Sequence, residues 1–175
     1  MKILAIDPGQ TESAYVCWDT KRHDFVGDLG MGDEAGSPIK SMGIVANKNE
    51  IFNVISRTII NIDIRLIAVE MMQSYGHAVG RSVFETVLMI GCMKECAFYE
   101  AAIIPITNIE FKLYTRTVIK GALGGCRTDT DVRQAIRQRY GESRKGEKLE
   151  GVRRDIWSAL ALAIALEENP SLKEW

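Results

Sequence analysis

A chain of 175 residues with 46% hydrophobic and 26% charged side chains is long enough to bury one sizeable core and too apolar to remain disordered. No apolar run approaches the ~20 residues that a membrane span needs, and a formal net charge of -1 excludes a uniformly basic coat for nucleic acid. Any affinity for phosphates must therefore be local, and Arg127, Arg133, Arg137, Arg139, Arg144, Lys145, Lys148, Arg153 and Arg154 do fall close together along the chain.

Lys2 to Ile6 is a short apolar run stopped by Asp7-Pro8-Gly9, which reads as a buried first strand ending in a turn. The opening MKILAIDPG has no cleavable signal pattern, which points to the cytoplasm. Ser13 to Trp18 and Asp24 to Leu29 read as two more strands joined by a polar hairpin, so three antiparallel strands open the fold. A Gly-rich connection runs from Gly30 to Gly43. Over Lys48 to Ile60, the spacing of Ile51, Val54, Ile55, Thr58 and Ile59 predicts an amphipathic helix. Leu66 to Val69 is apolar on both faces, as a central parallel strand would be.

Val79 to Tyr99 repeats Val83, Val87, Ile90, Met93 and Ala97 at helical spacing and predicts a long core helix. A fifth strand is expected over Ala101 to Ile106 and a short helix over Asn108 to Ile119. Gly121 to Cys126 reads as a loop, after which Thr128 or Asp129 caps a helix running to Tyr140. Gly141 to Gly151 is charged and aperiodic, hence a surface loop. A last helix from Arg153 to Glu168 puts Ile156, Ala159, Leu160 and Ala163 on one face and stops before Asn169-Pro170. Cys17, Cys92, Cys96 and Cys126 have no metal-finger spacing and are expected as buried free thiols. Without internal repeats, residues 1–175 form one α/β domain, a mixed five-stranded sheet with helices on both faces.

Three acids stand where chemistry could gather. Asp7 ends the first strand at a sharp turn, Glu70 follows the buried run Leu66-Ile67-Ala68-Val69, and Asp155 opens the last helix. Taken singly, they read as a turn residue, a strand-end charge and a helix-start acid. Taken together, they converge if the first and fourth strands are neighbours. Carboxylates from separate elements are what Mg²⁺ or Mn²⁺ requires, and such ions can drive phosphodiester hydrolysis.

Asp7 in LAIDPGQTESAYV, Glu70 in IAVEMM and Asp155 in DIWSALALAIA resemble, in this order, the acidic motifs of the RuvC-type Holliday junction resolvases. Ser74-Tyr75-Gly76, Val79-Gly80 and Val83-Phe84-Glu85-Thr86 further resemble the phage and prophage branch of that family. The resemblance spans the chain. It implies a ribonuclease-H-like fold and a homodimer that cuts branched DNA with Mg²⁺ or Mn²⁺ held by Asp7, Glu70 and Asp155. The helix over Val79 to Tyr99, with Met89, Cys92, Met93 and Cys96, is then the candidate dimer surface. Lys112 stands where these proteins carry a basic residue, Lys120 and Arg127 flank the glycine loop, and Arg153 and Arg154 precede Asp155. All five are expected to contact DNA, the plain alternative being a solvated basic face. Tyr75 is expected to stack on unpaired bases, with Met71 and Met72 either beside it or in the core.

One departure bears on activity. Bacterial RuvC enzymes have a second acid three residues after the first in the last motif, and here that residue is Ser158. Ser158 shares a helix face with Asp155 and suits contact with a ligand water better than a metal. Asp129 and Asp131 are possible substitutes, although helix capping accounts for them. The alternatives are a junction-binding protein with weak or absent catalysis and a flap or fork nuclease. An actin-like or sugar-kinase ATP-binding unit, which also opens with a strand and Asp-X-Gly, needs a second domain for which there is no room.

Overall fold

A computed structural model describes residues 1–21, 38–46, 49–62, 64–72, 80–103 and 109–175. In chain order the elements are β1 (Lys2–Pro8), β2 (Glu12–Asp19), β3 (Ile39–Ala46), α1 (Glu50–Ile62), β4 (Leu66–Met71), α2 (Arg81–Ile103), β5 (Glu110–Thr115), α3 (Arg116–Ala122), α4 (Asp129–Tyr140) and α5 (Ile156–Glu168). The five strands form one sheet in the order β3-β2-β1-β4-β5. β2 runs antiparallel to β1 and β3, whereas β4 runs parallel to β1 and β5 parallel to β4. Gly9 makes the β1–β2 turn possible: its amide donates to the Glu12 carbonyl at 2.9 Å, and a Cβ there would lie 2.5 Å from that oxygen.

Side-chain alternation along β1 decides which helices each residue meets. Leu4 and Ile6 pack with Ile67 and Val69 against Ile51, Ile55 and Ile59 of α1 and against Ile90, Met93 and Ala97 of α2. Each of the three fully buried α1 isoleucines contributes roughly 1.5–3 kcal/mol of burial before entropy is counted. Ile3 and Ala5 face the other way, with Ala14, Val16, Ala68 and Tyr114, toward α5, α3 and α4. Helices therefore cover both faces of the mixed sheet, as expected.

α5 is more deeply buried than a one-faced helix would be. From Ile156 to Leu166 every residue but Ser158 is buried, because α5 lies between the sheet and the helices α3 and α4. The start of α4 follows its sequence. Thr128 Oγ1 accepts from the Asp131 amide at 3.2 Å, and Asp131 Oδ2 accepts from the Thr128 amide at 2.8 Å, a reciprocal capping box. Capping thus accounts for Asp131.

Two strands differ from expectation. Asp24–Leu29, expected as the third strand, lies outside the described residues, and the strand beside β2 is Ile39–Ala46, within the segment read as a Gly-rich connection. β3 is half-buried along its length, so no clean alternation marks it, and its Gly43 makes room for the Tyr15 ring. The fifth strand is Glu110–Thr115, not Ala101–Ile106: α2 continues through Ile103, and residues 104–108 are outside the description. The sequence pattern places the segment EFKLYT in a helix over 108–119. Its pairing with β4 overrides that reading, and only Arg116–Ala122 is helical.

The four cysteines are free; Cys17 is buried as expected, but Cys92 lies exposed on α2. No helix among the described residues is long and apolar enough to cross a membrane.

Candidate active site

The site forms where β1 and β4 end together. The parallel register pairs Ile6 with Val69, so the next residues, Asp7 and Glu70, are neighbours. By alternation both lie on the sheet face that carries Ala5 and Ala68, under the start of α5. Asp155 occupies the N-cap position of α5 but makes no capping hydrogen bond, so helix capping does not account for its carboxylate. One turn later the Ser158 hydroxyl donates to the Asp7 carboxylate. The one polar residue between Ile156 and Leu166 is thus explained by its contact with a buried acid.

Cations face this cluster from the far side. Arg116, the first residue of α3, donates from Nη1 to Glu70 Oε2 at 2.8 Å and pairs through Nη2 with Asp129 Oδ1 at 3.0 Å. Lys120 Nζ lies 2.8 Å from the same Asp129 oxygen. Burial pushes the Asp7 carboxyl above its ordinary range; the Ser158 hydrogen bond and Arg116 oppose that rise, and the charges of Asp155 and Asp129 add to it. Glu70 is pushed up to about 7, first by burial and then by the charge of Asp7, with Arg116 only partly offsetting both. Asp129 moves the other way, held down by its hydrogen bonds from Lys120 and Arg116.

Of the three acids expected to converge, Asp7 and Glu70 lie side by side with Ser158 against Asp7, while Asp155 stands exposed at the cluster's margin. Among the described residues, no group of three or more His, Cys, Asp or Glu side chains is gathered tightly enough to hold a metal ion as it stands. The donor chemistry nevertheless suits a hard divalent ion. The acids are carboxylates on separate elements, and burial first, with the neighbouring carboxylate charges second, keeps the proton affinities of Asp7 and Glu70 raised despite Arg116.

The expected basic residues divide. Lys120 is inside the cluster, and its ammonium also donates to the Arg127 carbonyl at 3.3 Å. Arg127 is exposed at the turn before α4. Lys112 is not brought to the acids: it pairs with Glu110 at 2.6 Å and Glu174 at 3.3 Å. Arg153 and Arg154 line a groove of about 580 Å³ with Glu12, Met42, Ile44 and Gly151. There Arg154 takes φ +48° and reaches Glu12 at 3.8 Å. Met71 is packed in the core under α1 and α2, and Met72 is exposed. Ser74, Tyr75 and Gly76 lie outside the described residues.

Sequence reasoning missed Arg116 altogether and set Asp129 aside as a cap. The available signal was the alternation in EFKLYT. Once that segment is a strand beside β4, Thr115 ends it next to Met71, and Arg116 must start its helix next to Glu70.

No family model matches the chain, and no curated protein matches it. Among solved structures it is similar to Thermus thermophilus RuvC, with 18% identity and a TM-score of 0.67 over 100% of both chains. It is also similar to T. thermophilus RuvC in complex with a Holliday junction substrate, with 15% identity and a TM-score of 0.66, again over 100% of both. The fold of this chain is the ribonuclease-H-like fold of RuvC.

Proposed function

We propose that the chain is a structure-selective endonuclease that resolves branched DNA, four-way junctions first among them, by metal-dependent phosphodiester hydrolysis. The observation that carries this reading is the adjacency of Asp7 and Glu70 at the ends of two parallel strands, with Asp155 at their margin, in a fold shared along its whole length with RuvC. Asp7, Glu70 and Asp155 would hold Mg²⁺ or Mn²⁺. A divalent ion bound there would activate a water for attack on phosphorus and stabilise the leaving oxygen. Ser158 orients Asp7 through its hydroxyl, a contact made to a ligand rather than to the ion.

Arg153 and Arg154 in their groove, with Lys120 and Arg127 on the opposite flank, are proposed to receive phosphates on either side of the acids. Tyr75, two residues before His77 in the segment after β4, is proposed to stack on an unpaired base at the branch point. Lys112, already held by two carboxylates, is the weaker candidate for DNA contact.

Cutting a four-way junction symmetrically needs two sites related by a two-fold axis, so the chain is proposed to act as a homodimer. Phe84, Leu88, Tyr99 and Ile103 are 61%, 70%, 65% and 61% exposed and share one face of α2, opposite the buried Thr86, Ile90, Met93 and Ala97. This face, with exposed Cys92, replaces Met93 as the dimer candidate, because Met93 is fully buried in the core.

A second reading is junction binding without cutting. It is favoured by Ser158, which gives Asp7 a hydrogen bond but no further carboxylate. Four-way junctions, flaps, forks and linear duplex, incubated with Mg²⁺, Mn²⁺ or chelator, separate these readings when wild type is compared with Glu70→Gln. Metal-dependent cutting of branched DNA that the duplex escapes and the variant loses supports the nuclease. Junctions bound but left whole by wild type in either metal leave only the binding protein.

A further inference from the structure

Arg116 is the one cation that touches Glu70 among the described contacts, and its position is built rather than incidental. Its side chain is only 21% exposed, it starts α3 directly after β5, and its two Nη atoms are divided between Glu70 at 2.8 Å and Asp129 at 3.0 Å. The Glu70 side chain is itself 14% exposed, so its charged oxygen has little water to turn to. A guanidinium spanning two carboxylates is a stronger and more directional partner than a lysine in the same place.

We infer that Arg116 is an internal counter-cation that occupies Glu70 until a divalent ion displaces it, so that the ion and the guanidinium compete for one carboxylate. The inference rests on the metal-dependent reading above and deepens it. It explains in physical terms why acids adjacent in the sheet are not gathered into a ready cage: the Glu70 oxygen that would face an ion is turned to Arg116. Asp129 makes the exchange feasible. It is shared with Lys120, so Arg116 leaving Glu70 keeps one salt bridge and is not stranded as a half-buried unpaired charge.

The test is binding of Mn²⁺, followed by the electron paramagnetic resonance signal of the free ion, to the metal-free full-length chain. Wild type, Arg116→Gln and Arg116→Lys are titrated, with Glu70→Gln as the blank. Arg116→Gln should bind at least about tenfold more tightly than wild type, since the loss of one charge-assisted hydrogen bond is of that order. Arg116→Lys, which keeps the charge but cannot span both acids, should fall between them and guards against a merely unfolded glutamine variant. Arg116→Gln binding no tighter than wild type, while wild type binds above the blank, overturns the inference and leaves the metal site intact. If no chain binds above the blank, with or without a four-way junction, the metal-dependent reading falls and the inference falls with it.

Discussion

Glu70 stands beside Asp7, one register step past the Ile6–Val69 pair, and the two carboxylates share one end of the sheet with Arg116 as the neutralising partner of Glu70. Burial and the charge of Asp7 together raise the Glu70 pKa to about 7 from an ordinary value of 4.5. The site is therefore electrostatically costly to the metal-free fold.

Glu70→Gln should stabilise the chain in chelator at neutral pH and above. The sign follows from proton linkage. Below pH 4.5 Glu70 is protonated in both folded and unfolded chains and contributes no penalty. Between 4.5 and about 7 the unfolded chain ionises first, so wild type loses stability as pH rises. Above about 7 the penalty is constant. Thermal melts across this range should show Glu70→Gln gaining of the order of 1 kcal/mol or more at pH 8, roughly 2–4 °C in Tm, and gaining nothing near pH 4. A gap independent of pH would remove the buried, ionised Glu70 carboxylate as its cause.

Ser158→Asp places a fourth carboxylate against Asp7, where the hydroxyl now donates a hydrogen bond. In chelator this variant should melt several degrees below wild type, because a donor has been exchanged for a like charge. In Mn²⁺ the order should reverse, and junction cleavage should rise by about tenfold or more if a missing ligand limits catalysis. Ser158→Ala separates the two effects, since it removes the hydrogen bond and adds no acid. Equal cleavage by wild type and Ser158→Asp would show that a fourth acid is not what the site lacks.

Asp7 and Glu70 were legible in the sequence because they punctuate strands that are buried on both sides. Lys2–Ile6 and Leu66–Val69 are apolar runs with one polar stop, and that stop falls at the sheet end by geometry alone. The capping box of α4 and the end of α5 were readable for similar local reasons. β3 and β5 were not. They are the edge strands, and their half-buried residues give no clean period until pairing is known. Misplacing β5 hid Arg116, whose role depends on its standing next to a strand from elsewhere in the chain, and it left Asp129 without the partner that explains it.

The apolar face of α2 predicts a concentration-dependent dimer. Leu88 is 70% exposed, so Leu88→Asp costs the folded monomer little and should act on association alone. Sedimentation should find wild type dimeric at micromolar concentrations and Leu88→Asp monomeric with unchanged circular dichroism. Coordinated cutting of opposite strands should be lost with the dimer, even where single nicks remain. A Leu88→Asp chain that still sediments as a dimer would move the interface off this face.

Arg154 sets stability against DNA contact. Its φ of +48° is the only positive value at a non-glycine residue among those described, and the left-handed conformation costs a side chain about 1–2 kcal/mol. The strained residue falls in the short link between Gly151, itself at φ +80°, and the start of α5 at Ile156. The outcome is that Arg154 stands at the mouth of the groove, directly before Asp155, with only a long 3.8 Å pairing to Glu12. Arg154→Gly should therefore raise Tm by roughly 2–4 °C while weakening junction binding and lowering the salt slope of log K by about 1, the signature of one lost phosphate contact. Effects of opposite sign on stability and affinity would identify strain kept for function. Stability gained with affinity and salt slope both unchanged would make the strained turn only a route into α5, and the phosphate path would then have to run past Arg153 without it.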